Sequence, residues 1–293
     1  MVIPELWSEA DINSEDALRR AAEESDLLSA LVAIDGLEVG LEVASPDVGG
    51  AAGEGESSLS VQAMSIAQTI AEWSVQVRVG LEAGASPRDA LVKVLVSDVA
   101  LHGDTEDYFA PENSRVSAVL ARRRGQPILL SALWMLVGQG AGIGVVGVAL
   151  PGHFVIGVEG LIVDPFAGGR YLSIDQCREL AARALPGRPF DTDWLAPVGV
   201  RAIAARVLRN LSHALRQRAD ERGVYRATRL LAAVEPEDGP VWLELARQSE
   251  SQGAWPEALA LYRHIARHFS DKREGQIGEL KAIELESKTR ILN

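Results

Sequence analysis

The chain has 293 residues, 47% of them hydrophobic, enough to bury one large core or two modest ones, which excludes disorder as the dominant state. With 41 acidic against 29 basic residues its net charge is -12, which repels a phosphate backbone and argues against a nucleic-acid partner. The single cysteine, Cys177, excludes an intrachain disulfide, no zinc-type cluster is legible, and a reducing cytoplasm is the expected compartment.

Residues 1–6 contain Pro4 and are followed by acidic residues where an export signal needs an apolar run, so none is expected. From Ser14 to Leu31 the residues Ala17, Leu18, Ala21, Leu27, Leu28 and Leu31 recur at helical spacing. Together with Ser14 as N-cap they predict one amphipathic helix. Residues 44–60 (ASPDVGGAAGEGESSLS) are small, glycine-rich and acidic, which predicts a mobile insertion with too little apolar surface to offset ordering. A helix over residues 61–81, and another capped by Ser86 with Pro87 at its first position and running to Val99, complete an N-terminal helical lobe of residues 1–103.

A core of mixed helix and strand is expected over residues 104–193. It opens with the polar stretch 104–113 and a short helix from Ser114 to Arg124, stopped by Gly125. Arg122, Arg123 and Arg124 read as a solvated helix end. Pro127 opens the next helix, where Ile128, Leu129, Leu130, Leu133, Trp134, Leu136 and Val137 cover every side, so it is buried all round. Gly138, Gly140, Gly142, Gly144 and Gly147 break the apolar run 127–150 into helix and strand, which argues against a membrane span. These glycines precede a strand, and no Lys-Ser/Thr follows, so they are no phosphate loop and no cofactor is expected. Runs at 144–150, 154–158 and 161–163 read as antiparallel strands.

Residues 194–293 read as helical, with stretches at 200–217, 225–234, 241–252 and 256–269. Trp242, Leu245, Ala246, Gly253, Ala258, Leu261 and Tyr262 are spaced similarly to a tetratricopeptide repeat, whose stacked helix pairs present a binding surface. A protein or peptide partner is therefore expected there; the oligomeric state is left open. His264 and His268 have the i, i+4 spacing of a metal pair but no third ligand, and Arg263 and Arg267 beside them mark a solvated face, so no metal site is expected.

The informative segment is PGHFVIGVEGLIVDPFAGGR, residues 151–170. A hairpin with Val158 and Glu159 at its tip pairs Gly157 with Gly160, and the register then places His153 directly opposite Asp164. Opposed residues have Cβ atoms about 4.5 to 5.5 Å apart, close enough for a carboxylate to orient an imidazole as in a nucleophile–His–Asp triad.

Four further segments extend this: Pro111-Glu112-Asn113-Ser114, Arg123-Arg124-Gly125-Gln126-Pro127-Ile128, Leu150-Pro151-Gly152-His153-Phe154, and Asp164-Pro165-Phe166 with Gly168-Gly169-Arg170. In this order they resemble the SirB-type transglutaminase-like family, and Arg206-Val207-Leu208-Arg209-Asn210-Leu211 is similar to the helix opening that family's C-terminal repeat region. The resemblance implies an α+β fold: a papain-like core between an N-terminal helical lobe and a tetratricopeptide-like tail. It also implies a cysteine at the start of the buried helix, facing a His and an Asp. Between Pro127 and Ser131 there is no cysteine, and Leu129 stands where family members carry a hydroxyl. Cys177, in the first turns of a helix after the sheet, reads as a small buried hydrophobe.

Two functions follow. In the first, the domain is a non-catalytic binding or scaffold module that keeps the His153–Asp164 pair. In the second, it is a peptide or amide hydrolase or acyl transferase with Ser131 as nucleophile, His153 as base and Asp164 as orienter. A purely structural clamp of His153 on Asp164 is the third reading of the same pair.

Overall fold

The computed structural model describes residues 9–36 and 54–292. Two helices, α1 (Glu9–Glu23) and α2 (Leu27–Asp35), stand where one is expected. Ser14 lies inside α1 and is not its cap. The break is local chemistry: Ser25 takes a left-handed φ of 60°, and the Asp26 carboxylate caps α2 by accepting from the Ser29 amide at 3.0 Å. Of the insertion expected at 44–60, residues 44–53 lie outside the described residues, and 54–60 are helical, opening α3 (Glu54–Glu82).

Ser86 caps α4 (Pro87–Leu91) as expected, its hydroxyl accepting from the Asp89 amide at 3.2 Å. Beyond Leu91 the chain widens into a π-helical segment, Val92–Asp98, which buries Val94 and Leu95. The next helix, α5 (Val116–Arg122), ends at Arg123 in the left-handed conformation (φ 58°), two residues short of the expected stop at Gly125. Gly125 belongs instead to β2 (Arg124–Gly125), which runs parallel to β1 (His102–Gly103). The three arginines do stand at the helix end, Arg122 exposed and the other two half-buried, and each also has a partner. Arg122 bonds the buried carboxylate of Asp104 at 2.9 Å, Arg123 lies 5.0 Å over the Trp73 ring, and Arg124 meets Glu106 at 2.6 Å.

The central helix α6 (Pro127–Gly140) is buried on all sides, as its composition requires. It packs against a five-stranded antiparallel sheet of order β6-β5-β4-β3-β7: β3 (Val145–Val148), β4 (Val155–Val158), β5 (Leu161–Asp164), β6 (Arg170–Leu172) and β7 (Pro197–Val198). Alternation divides the sheet. Val145, Ile156, Val158 and Val163 join the main core under α6, whereas Val148, Val155 and Leu172 form a second core with Cys177 on α7 (Ile174–Ala184).

The hairpin register differs from expectation by two residues: Val158 pairs with Leu161, Gly157 with Ile162 and Ile156 with Val163. Glu159 (φ 49°) and Gly160 (φ 81°) are the two central residues, both left-handed as a two-residue hairpin turn demands. A turn centred on Val158 would force a β-branched residue to positive φ, which sterics disfavour strongly.

The C-terminal stretch holds α8 (Val200–Gln217), α9 (Glu221–Val234), α10 (Gly239–Ser251), α11 (Trp255–His268) and α12 (Arg273–Leu292). The last has no counterpart in the sequence reading; Leu280 and Ile283 are exposed on it, so its apolar pattern is weak. One continuous cluster of buried side chains runs from Leu18 to Leu285, with α1 and α2 packed on α8 and α9, and α6 packed on α8. No described helix is long and apolar enough to cross a membrane.

Candidate functional site

His153 and Asp164 meet, although not as opposed strand residues. Continuing the observed register sets Asp164 across from Val155, while His153 sits just before β4, in a turn where its amide donates to the Leu150 carbonyl at 3.1 Å. The shift of two residues keeps each side chain on its own face, because strand alternation has period two, and the diagonal neighbour is still within reach. His153 Nε2 lies 3.0 Å from Asp164 Oδ2. The other oxygen, Oδ1, accepts from the Phe166 and Ala167 amides at 3.0 and 3.3 Å, so the carboxylate also shapes the loop after β5. A carboxylate only accepts, so Nε2 carries the proton of this bond. The pair is well shielded, the His153 side chain being 14% and the Asp164 side chain 5% exposed.

The loop from Asp164 to Gly169 is fixed from both ends. Gly169 donates to the Asp164 carbonyl at 2.8 Å, and the Arg88 Nε donates to the Gly169 carbonyl at 2.8 Å. Gly169 has a φ of 78°, and a Cβ there would come within 2.6 Å of both Trp134 and Val92, so only glycine fits. This couples the π-helical segment and α6 to the position of Asp164.

Ser131 lies one turn into α6 and is fully buried; its hydroxyl donates to the Phe154 carbonyl at 3.4 Å. The structure brings His153 and Asp164 together and makes no hydrogen bond between Ser131 and either of them. Around the start of α6 the side chains of Pro127, Ile128, Leu129 and Leu130 are buried apolar groups. Cys177 is also fully buried, in the core between the sheet and α7, where burial and then the Asp164 charge push its thiol pKa up and hold it protonated.

Three buried polar residues of the family-like motifs, Asn113, Ser114 and Gln126, form one network with Arg122. Asn113 donates to the carbonyls of Asp107 and Tyr108 at 2.8 and 3.3 Å, and Gln126, at the N-cap of α6, donates to the Tyr108 carbonyl at 2.9 Å. Ser114 donates to Gln126 Oε1 at 3.3 Å, and Arg122 bridges Asn113 Oδ1 to Asp104. Burial pushes the Asp104 carboxyl upward, but bonds from the Asp107 amide, Asn113, the Glu106 amide and Arg122 outweigh it, and its pKa is lowered. The network fixes the loop carrying Tyr108, whose ring meets Phe166 edge-on at 6.0 Å. Phe166 in turn meets the His153 ring at 6.2 Å.

Of the two histidines expected on a solvated face, His268 is exposed with Arg263 and Arg267, but His264 is not. His264 is 6% exposed, its ring stacks on His268 at 3.9 Å and lies 4.4 Å from Trp242, and its Nδ1 is a buried atom with no partner. Burial, then the neighbouring His268 and Arg267, depress its pKa to about 4. Among the described residues no cluster of three or more His, Cys, Asp or Glu side chains is arranged to hold a metal ion.

The Transglutaminase-like superfamily matches residues 64–209, a span that includes α6, the hairpin, His153 and Asp164. A UPF0162 protein of Xylella fastidiosa is 33% identical over 207 residues, covering 65% of this chain and 73% of that protein. A UPF0162 protein of Pseudomonas aeruginosa is 32% identical over 132 residues, 44% of this chain and 48% of its own. F-box only protein 21 of Pongo abelii is 27% identical over 220 residues, 69% of this chain but only 34% of that longer protein. No solved structure matches the chain.

Proposed function

Since the chain belongs to the UPF0162 family and carries a transglutaminase-like superfamily domain over residues 64–209, we propose that it is a non-catalytic member that binds a protein or peptide partner. The observation that carries this reading is chemical. The His153–Asp164 pair is intact at 3.0 Å, yet the first turn of α6 is apolar and the chain's one thiol is buried elsewhere. A base and an orienter without a nucleophile do not perform acyl transfer. The SirB-type resemblance of the quoted motifs supports the same ancestry.

The partner surface in this reading is the tetratricopeptide-like tail α8–α12. In support, Leu280 and Ile283, three residues apart on α12, are 70% and 59% exposed and offer apolar surface to a partner. The cytoplasm is the compartment this reading assumes.

The test has two arms on the full chain. A fluorophosphonate probe is expected to leave the protein unlabelled. Labelling that disappears in Ser131→Ala and in His153→Ala overturns the reading in favour of a Ser131 hydrolase. Mild affinity purification should recover a partner that is lost when Leu280→Asp and Ile283→Asp are combined, changes at exposed positions that leave the core intact. Equal recovery removes α12 from the contact surface.

A further inference from the structure

Arg206 sits on the face of α8 turned toward the sheet, half-buried and without a carboxylate partner among the described residues. Three acids of the loops around the pair have basic partners of their own: Asp104 with Arg122, Asp107 with Arg218 at 2.8 Å, and Asp164 with His153. Among the described residues Arg206 makes one hydrogen bond, from Nη1 to the Leu150 carbonyl at 3.1 Å, and its guanidinium lies 6.0 Å from the Phe154 ring centre. The same Leu150 oxygen accepts the His153 amide at 3.1 Å, so Arg206 and His153 are held by one atom. Burial is the main influence on Arg206 and lowers its pKa.

The bond to Leu150 uses Nη1 and leaves the side-on edge, Nε with Nη2, without an acceptor among the described residues. Neither atom is among the buried unsatisfied ones, so this edge reaches solvent. A partly desolvated guanidinium is stabilised most by a planar acceptor that takes both donors of one edge, and a carboxylate has that shape.

We propose that Arg206 holds the carboxylate of a bound ligand at the end of the sheet that carries His153 and Asp164. The inference is independent of the α12 surface and of whether the pair does chemistry. It gives the RVLRNL segment, 206–211, a binding role in addition to its helical one.

The experiment follows the His153 ring resonances of 13C-histidine-labelled full chain, with His153→Gln assigning them. Three probes are added in turn: N-acetylglycine, its neutral amide, and inorganic phosphate. The expected result is a saturable His153 shift with N-acetylglycine and none with the amide, a comparison that needs no variant. A glutamate blocked at both ends distinguishes sources. A response to it as well as to N-acetylglycine assigns carboxylates in general, and a response to N-acetylglycine alone assigns a chain terminus; both support the proposal. Arg206→Lys, which keeps the charge but loses the bidentate edge, should weaken the apparent affinity roughly tenfold. Equal response to acid and amide, response to phosphate alone, no response to N-acetylglycine, or unchanged affinity in a folded Arg206→Lys overturns it.

Discussion

Replacing Asp164 tests the site at the residue that joins it to the fold. Its carboxylate makes three hydrogen bonds, two to the loop amides of Phe166 and Ala167 and one to His153. In Asp164→Asn the side-chain oxygen can keep both amides, which turns the NH2 group toward His153. Nε2 must then accept, so the imidazole proton moves to Nδ1. One charge-assisted bond becomes a neutral one, a loss of about 1 kcal/mol. Asp164→Ala deletes all three bonds. Ala167 is exposed, so water replaces its acceptor, and the expected loss is about 2 to 3 kcal/mol from the shielded His153 and Phe166 donors. Urea denaturation measures both stabilities, and long-range 1H–15N spectra of the imidazole report the tautomer. Retention of the proton on Nε2 in Asp164→Asn, or a stability of Asp164→Ala within about 0.5 kcal/mol of wild type, refutes the reasoning.

Two further outcomes follow from the packing. The folded His264 pKa of about 4 lies below the unfolded value near 6.5, so its contribution is complete above the higher value and is lost as the pH falls through the lower. Over that window the chain should lose about 3 kcal/mol from this residue, measured as the difference in pH-dependent stability between wild type and His264→Phe. Gly169→Ala combines left-handed strain with a close approach to Trp134 and Val92, and should cost roughly 2 to 4 kcal/mol by chemical denaturation. Because Gly169 donates to the Asp164 carbonyl, the same variant should shift the His153 resonances; stability loss with an unmoved His153 spectrum argues against coupling of that loop to the pair.

Much of the architecture was legible because its causes are local. The all-apolar helix after Pro127, the Ser86 cap, the capped helix that buries Cys177 and the α8 bounds at Val200 and Gln217 follow from periodicity and capping chemistry. The His153–Asp164 contact was legible for a less direct reason: an error of two residues in register leaves every side chain on its original face, so the pair survives although its opposed geometry does not. The left-handed breaks at Ser25 and Arg123 were not legible, since apolar spacing fits a helix on either side of them and carries no record of a single φ.

What the sequence by itself determined is the buried helix after Pro127, the central hairpin strands, the α+β class and the residues that bear on chemistry: His153, Asp164, and the absence of cysteine between Pro127 and Ser131. Tertiary structure decided their partners. It commits the Ser131 hydroxyl to the Phe154 carbonyl, buries His264 against Trp242, and turns Arg122, Asn113, Ser114 and Gln126 into one network around Asp104 and Tyr108. It also leaves Arg206 beside His153 with an unfilled edge. The physical reason is range. A cap or an apolar stripe is fixed by residues within a turn or two, whereas the hydrogen-bonding state of a buried polar group depends on which distant segments exclude its water.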